Sequence, residues 1–264
     1  MKQRIYPLLV LCLSTIVLIG ALMEYRHFFT VEENVLADYA PTMPQTTPTL
    51  PTAPPVSEGE PMPELPDNPV DFATLRQEYA DIVAWIQVPG TNINYAVMWE
   101  EMDGKEDFYL THNEKGEKAR NGSIYLQEYN HVDFTDPNTI LYGHNMASGS
   151  MFAHLHKFKK KDFFNSHEYL YVYLPGHVLT YRIYALLSHN PRHLLWAYDF
   201  DTEEGRQTFI DKTLNPQTSI KQVRDGVYPI PSDRLITLST CLNKSEGDGR
   251  LLLVAMLESD VQTK

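Results

Sequence analysis

The chain has 264 residues, a formal net charge of −12 and a pI near 5.2. That acidity leaves no basic stripe to neutralise phosphates, which argues against a nucleic-acid partner. Two cysteines, Cys12 and Cys241, exclude both a disulfide scaffold and a cysteine-rich zinc site.

Lys2 and Arg4 precede a run of 21 residues, Ile5 to Tyr25, whose one charge is Glu24. At about 1.5 Å per residue such a run spans roughly 30 Å, the thickness of a bilayer core. A cleaved signal peptide is the alternative, but Ile19-Gly20-Ala21-Leu22 matches a small-residue cleavage site poorly. The expectation is an uncleaved anchor over 5–25 with a cytoplasmic tail over 1–4. Everything after Arg26 would then lie outside a cell membrane crossed once. Residues 41–69 hold ten of the eighteen prolines, interleaved with threonines. Such a stretch cannot bury enough apolar surface to fold, and proline stiffens it toward polyproline II. It is expected to form, within 26–69, a spacer that lifts a domain off the membrane. A recognition motif for a proline-binding module is the other reading.

The folded domain is expected over 70–264. Asp71 can cap a helix whose apolar positions are Phe72, Leu75, Tyr79, Ile82 and Val83. Strands are expected at 85–88 and 93–98, separated by a Pro89-Gly90 turn. Residues 99–121 are polar and charged and read as loop with one short helical or extended piece. Further strands are expected at 123–126, 139–142, 169–174 and 179–187. Thr202 caps a surface helix running to Leu214, and strands at 235–240 and 251–256 close the chain. Seven or eight short strands with few helices predict a mainly β fold, a closed or nearly closed barrel.

The chemistry centres on Cys241. With Cys12 in the apolar N-terminal run, Cys241 has no cysteine to pair with in its own compartment, which flags a reactive thiol. A free thiol with a pKa of about 8.5 is only a few per cent thiolate at neutral pH, so a cysteine nucleophile needs a nearby base or cation. His144 stands out among ten histidines because it follows the strand 139–142 and opens a polar loop, Asn145 to Ser150. That position suggests a barrel rim. Arg250 opens the last strand, and eight residues, Leu242 to Gly249, separate it from Cys241. If the two strands pair antiparallel, Arg250 and Cys241 are neighbours. A permanent cation there favours thiolate and can hydrogen-bond an oxyanion. The plainer alternative is that Arg250 solvates the strand's start.

Taken together, Thr237-Leu238-Ser239-Thr240-Cys241, the downstream Arg250 and Tyr142-Gly143-His144-Asn145-Met146 resemble the sortases, and class B most closely. Asp71-Phe72 to Leu75, Trp85-Ile86 with Pro89-Gly90-Thr91, and Gly122-Ser123-Ile124 also look like that class, over roughly residues 70–258. Ala96 follows Tyr95 where the class commonly has proline, a departure at a strand's start. The resemblance implies a sortase barrel with an N-terminal helix and a helix inserted before the last two strands. It implies a membrane-anchored cysteine transpeptidase that cuts an Asn-Pro-x-Thr or related x-Pro-x-Thr signal after threonine. Cys241 would form a thioester, His144 would act as acid and then base, and Arg250 would hold the oxyanion with a backbone N–H such as that of Leu242. Ser239, Thr240 and Leu242 would lie near the bound peptide. Its partners would be secreted proteins bearing the signal and an amine of peptidoglycan or its lipid-linked precursor. No ion or cofactor is expected.

Other readings stay open. A pilus-assembling sortase would use a lysine acceptor, and a hydrolase would resolve the same thioester with water. A non-enzymatic, membrane-tethered binding protein could share the barrel, although the intact His144, Cys241 and Arg250 speak against it. A metal enzyme would need ligands from such pairs as His154 with His156 or His189 with His193. Pro191 interrupts the second pair, and there is no His-Glu-x-x-His element. Asn215-Pro216-Gln217-Thr218-Ser219 itself resembles a class B sorting signal, but it leads back into the domain and reads as a loop.

Overall fold

The structure is a computed structural model that describes residues 36–42, 64–100 and 107–264. The expected tail, the anchor over 5–25 and most of the expected spacer lie outside the described residues. Among those described, no helix is long and apolar enough to cross a membrane.

The first described α-helix, α1, spans Phe72–Glu78. Asp71 caps it as expected, its carboxylate accepting from the Thr74 N–H at 3.0 Å. The helix ends at Tyr79, short of the expected Ile82 and Val83. Those two residues instead open β1, Ile82–Gln87, which is buried along its whole length. The 3.6-residue spacing ran across a turn into a strand with apolar neighbours on both faces, and the continuous apolar run is the signature of such a strand.

The remaining strands are β2 (Asn94–Met98), β3 (Ile124–Leu126), β4 (Asn138–Tyr142), β5 (Tyr169–Leu174), β6 (His177–His189), β7 (Lys221–Val223), β8 (Leu235–Cys241) and β9 (Arg250–Gln262). They join in the order β5-β1-β2-β3-β4-β8-β9-β6-β7, and a β5–β6 pairing closes eight of them into a barrel. Closure removes the exposed strand edges that an open sheet would present. The ninth strand, β7, pairs only with β6 and was not expected; Lys221-Gln222-Val223 carries no apolar alternation.

Three apolar clusters explain the layering. Ile86, Val97, Leu141, Leu238 and Leu253 fill the barrel interior with Phe152, Leu155 and Phe158. Those last three come from a 3-10 helix over Phe152–Lys159, followed by α2 (Lys161–Ser166). On one outer face, Phe72 and Leu75 of α1 cover Trp85, Met98 and Tyr173. On another, Phe209 and Ile210 of α4 (Glu203–Leu214) cover Ile140, Tyr184, Leu235, Leu252 and Val254. Thr202 caps α4 through the Gly205 N–H, as expected. Phe209 and Ile210 are each 1% exposed, and burying a side chain of this size contributes about 1.5–3 kcal/mol.

Both described pieces of the expected spacer touch the domain. Leu36 is buried in the α1-side cluster, and the Gln87 amide donates to the Pro41 carbonyl at 3.1 Å. Asn68 donates to the Leu174 carbonyl at 2.7 Å, and the Lys264 N–H to that of Pro66 at 2.9 Å. The Asn215–Ser219 stretch is a held loop: Pro216 is buried and its carbonyl accepts from Lys221 Nζ at 3.0 Å.

Candidate active site

Strand pairing brings the expected chemistry together. β4 and β8 run parallel with Tyr142 beside Ser239, and that register carried two residues further puts His144 level with Cys241. β8 and β9 are antiparallel with Cys241 paired to Arg250, and β9 in turn pairs Arg250 with His189 of β6. The four side chains thus form a row across neighbouring strands. Alternation settles their face. Ile236 and Leu238 fill the interior, so Leu235 and, at even spacing, Ser239 and Cys241 face outward, as do Arg250 and Leu252. The site therefore sits on the barrel's outer face, at the strand ends that form its rim.

Arg250 Nη1 donates to Cys241 Sγ at 3.2 Å. Cys241 is exposed, and among the described residues it has no disulfide partner. His144 lines the same cleft and its Nε2 lies 2.8 Å from the Leu110 carbonyl. A carbonyl can only accept, so Nε2 carries the hydrogen, and Nδ1 is the basic nitrogen of the neutral ring. Leu110 ends a 3-10 helix over Phe108–Leu110.

The cleft is open to solvent and spans about 790 Å3, open solvent included. Ser239, Cys241, Arg250 and Leu252 form its floor, with Leu110, Tyr142 and His144 on one side. The turn after β6, from His189 through Pro191 to Leu194, walls the other side and leads into α3 (Leu194–Ala197). His193 is held there by Gln127 and by Tyr142. Burial among apolar neighbours pushes the Tyr142 hydroxyl up to about 12, so it stays protonated. Burial also lowers His189 below the ordinary histidine value, favouring the neutral ring.

Of the residues expected near the peptide, Ser239 and Thr240 border the cleft. Thr240 is 2% exposed, and its hydroxyl has no hydrogen-bond partner among the described residues. Leu242 departs from expectation. Its side chain packs against the interior cluster, and its N–H donates to the Gly249 carbonyl at 3.0 Å. That N–H closes the β8–β9 turn, and Leu242 does not line the cleft. The His189–Leu194 wall and the Leu110 carbonyl were not anticipated. No sequence spacing links them to Cys241; only the sheet order does.

His154 Nδ1 accepts from the Asn92 N–H, while His156 lies against the Cys241 carbonyl. Among the described residues no group of three His, Cys, Asp or Glu side chains could hold a metal ion.

A thiol under a guanidinium, with an imidazole level with it just past the end of the adjoining strand, equips a closed β-barrel for cysteine-dependent acyl transfer. The sortase domain matches residues 86–258. Sortase B of Listeria monocytogenes is 33% identical over 192 residues, spanning 71% of this chain and 74% of that protein. A cysteine-to-serine mutant of Clostridium perfringens sortase B superposes with a TM-score of 0.63 at 31% identity, covering 71% of this chain and 86% of that one. A Staphylococcus aureus sortase B–substrate complex gives 0.61 at 29% identity, covering 71% and 84%. The chain belongs to the sortase family, in its class B. It is a cysteine transpeptidase that processes sorting signals.

Proposed function

We propose that the enzyme cuts an Asn-Pro-x-Thr or related x-Pro-x-Thr signal after threonine and joins the protein to a cell-wall amine through a thioester on Cys241. The observation that carries this reading is the 3.2 Å contact from Arg250 Nη1 to Cys241 Sγ, in a cleft that His144 also lines. The thiolate attacks the threonine carbonyl carbon, and the carbonyl electrons move onto oxygen. Arg250 stabilises that oxyanion as it forms. The C–N bond then breaks, His144 as imidazolium gives its proton to the departing amine, and the thioester remains. An incoming amine attacks the thioester, His144 takes the amine's proton, and the thiolate leaves. The substrates are secreted proteins bearing the signal, and the acceptor is an amine of peptidoglycan or its lipid-linked precursor. The apolar run over 5–25 would hold the site at the membrane where such precursors emerge.

The test is incubation of the full chain with a library of x-Pro-x-Thr peptides, followed by mass spectrometry. One motif class should leave an acyl adduct on Cys241 that a Cys241→Ala variant lacks. No adduct with any peptide would overturn the reading.

A further inference from the structure

The backbone at Cys241 shows how the nucleophile is held. On β8, the Ser239 carbonyl accepts from the Gly143 N–H at 3.2 Å, so alternate carbonyls of β8 face β4. Two residues on, the Cys241 carbonyl faces the same way, but β4 has ended at Tyr142. An edge carbonyl left there would lack its partner. Two side chains take the place of the missing strand. Asn145 Nδ2 reaches the Cys241 carbonyl at 3.2 Å, and His156 Nε2 reaches it at 3.1 Å. Asn243 joins the two: its Oδ1 accepts from Asn145 Nδ2 at 3.0 Å, and its Nδ2 lies 3.2 Å from His156 Nδ1. The Asn243 N–H in turn donates to Glu246 Oε2 at 3.1 Å, and Lys159 Nζ pairs with Glu246 at 2.6 Å.

These residues come from three segments. Asn145 follows His144 directly, Asn243 lies two residues past Cys241, and His156 sits on the 3-10 helix packed into the barrel mouth. We propose that Asn145, His156 and Asn243 are positioning residues that replace the absent strand neighbour of Cys241 and lock the His144 segment to the nucleophile's segment. The proposal rests on the reading of Cys241 as the nucleophile. None of the three need touch the reacting atoms. Their effect is to fix the spacing of the thiol and the imidazole, and a shift of about 1 Å in such a spacing can cost a hundredfold in rate.

The pattern fixes His156 as a neutral ring, with Nε2–H donating and Nδ1 accepting. Burial lowers His156 from the ordinary 6.5, with Lys159 pushing the same way, while the Cys241 carbonyl and Glu246 oppose. Lys159 and Glu246 are the charged groups that face it, from the 3-10 helix and the β8–β9 turn. In acid the protonated ring loses its acceptor for Asn243, and the lock opens.

The experiment uses the full chain and four variants, His156→Ala, His156→Gln, Asn145→Ala and the Asn145→Ala/His156→Ala double. Quenched Asn-Pro-x-Thr peptides give kcat and KM, and hydrogen exchange reports amide protection over 242–249. His156→Ala should lower kcat by about tenfold or more with KM within about twofold, and should speed exchange over 242–249. Glutamine carries both an N–H donor and an oxygen acceptor, so His156→Gln should restore most of both and be less sensitive to acid than the wild type. The double variant should be less than additive, because the two side chains share one acceptor. A folded His156→Ala with kcat within about twofold of wild type, or His156→Gln as slow as His156→Ala, overturns the proposal. If His156→Ala fails to fold, Asn145→Ala is judged by the same criteria. A wild-type chain that turns over no peptide overturns Cys241 as nucleophile, whereas unaltered exchange in the variants overturns the positioning set by itself.

Discussion

Arg250 and Cys241 face each other across an antiparallel pair, and Arg250 Nη1 lies 3.2 Å from the thiol sulfur. Two roles follow for one side chain. A fixed positive charge stabilises negative charge developing on a neighbouring atom, and a planar fork of N–H donors can meet an oxyanion. Lysine can supply the first and fits the second poorly. Replacing Arg250 with alanine should lower kcat by about two to three orders of magnitude and also slow alkylation of Cys241 by iodoacetamide at neutral pH. Arg250→Lys should recover alkylation but little peptide turnover. Equal recovery of both would show that only charge matters at this position.

His144 is oriented from a distance. Its Nε2 is tied to the Leu110 carbonyl, and that carbonyl is packed against Gly122. Gly122 has φ +54°, and a Cβ there would come 2.6 Å from the Tyr109 carbonyl oxygen and closer still to that of Leu110. The obstruction is backbone, so no side-chain rotation relieves it. A Gly122→Ala substitution should cost about 1–2 kcal/mol from the left-handed backbone alone. It should also lower turnover beyond that stability loss, because the Leu110 carbonyl must move. Measuring kcat on folded protein, together with the unfolding midpoint, separates the two effects. Normal turnover in a folded variant would mean that His144 does not depend on this carbonyl.

The grouping of His144, Cys241 and Arg250 was legible because they sit at strand ends with short-range cues. Cys241 and Arg250 are separated by one turn, so an antiparallel hairpin was enough to make them neighbours. His144 was reached through its place after an apolar strand, and the parallel β4–β8 register then set it level with Cys241. The eight barrel strands were likewise carried by apolar runs and turn residues. The 3-10 helix was missed although Phe152, Leu155 and Phe158 repeat every third residue, the period of that helix. His156 was illegible as a partner of Cys241, since 85 residues separate them and only folding brings the ring to the carbonyl. The outward-facing site follows from which face of β8 the interior cluster claims, and a strand buried on both faces gives no such signal in sequence.

The α4 helix is fastened to the barrel by a buried polar contact. The Tyr184 hydroxyl meets Thr213 Oγ1 at 2.8 Å, and Thr213 donates to the Ile210 carbonyl at 2.8 Å. Both residues are fully buried, and neither borders the cleft. A Thr213→Val exchange keeps the shape and strands the tyrosine hydroxyl, which should cost about 1–3 kcal/mol. Adding Tyr184→Phe removes the stranded group and should recover much of that loss. Peptide turnover at 25 °C should be unchanged in both variants while the melting temperature falls in the first. A loss of turnover larger than the loss of folded protein would show that α4 is coupled to the cleft.

Acid should destabilise the domain before its carboxylates titrate. Burial lowers His154, His156 and His189 from the ordinary 6.5, and neighbouring Lys157, Lys159 and Lys212 act in the same direction. Each ring therefore takes up a proton more readily in the unfolded chain than in the folded one. Above pH 6.5 both states hold the rings neutral and the difference vanishes. As the pH falls below 6.5, the unfolded chain binds more protons and stability declines. His131 runs the other way, raised by its bond to Asp136, but it is fully exposed and solvent screens its contribution. The melting temperature should therefore drop steadily from about pH 7 to pH 5. Replacing His156 with glutamine and His189 with asparagine should flatten that slope, because neither substitute can take up a proton in this range. A midpoint that holds constant or rises over the same interval would show that these rings are not held neutral by the fold.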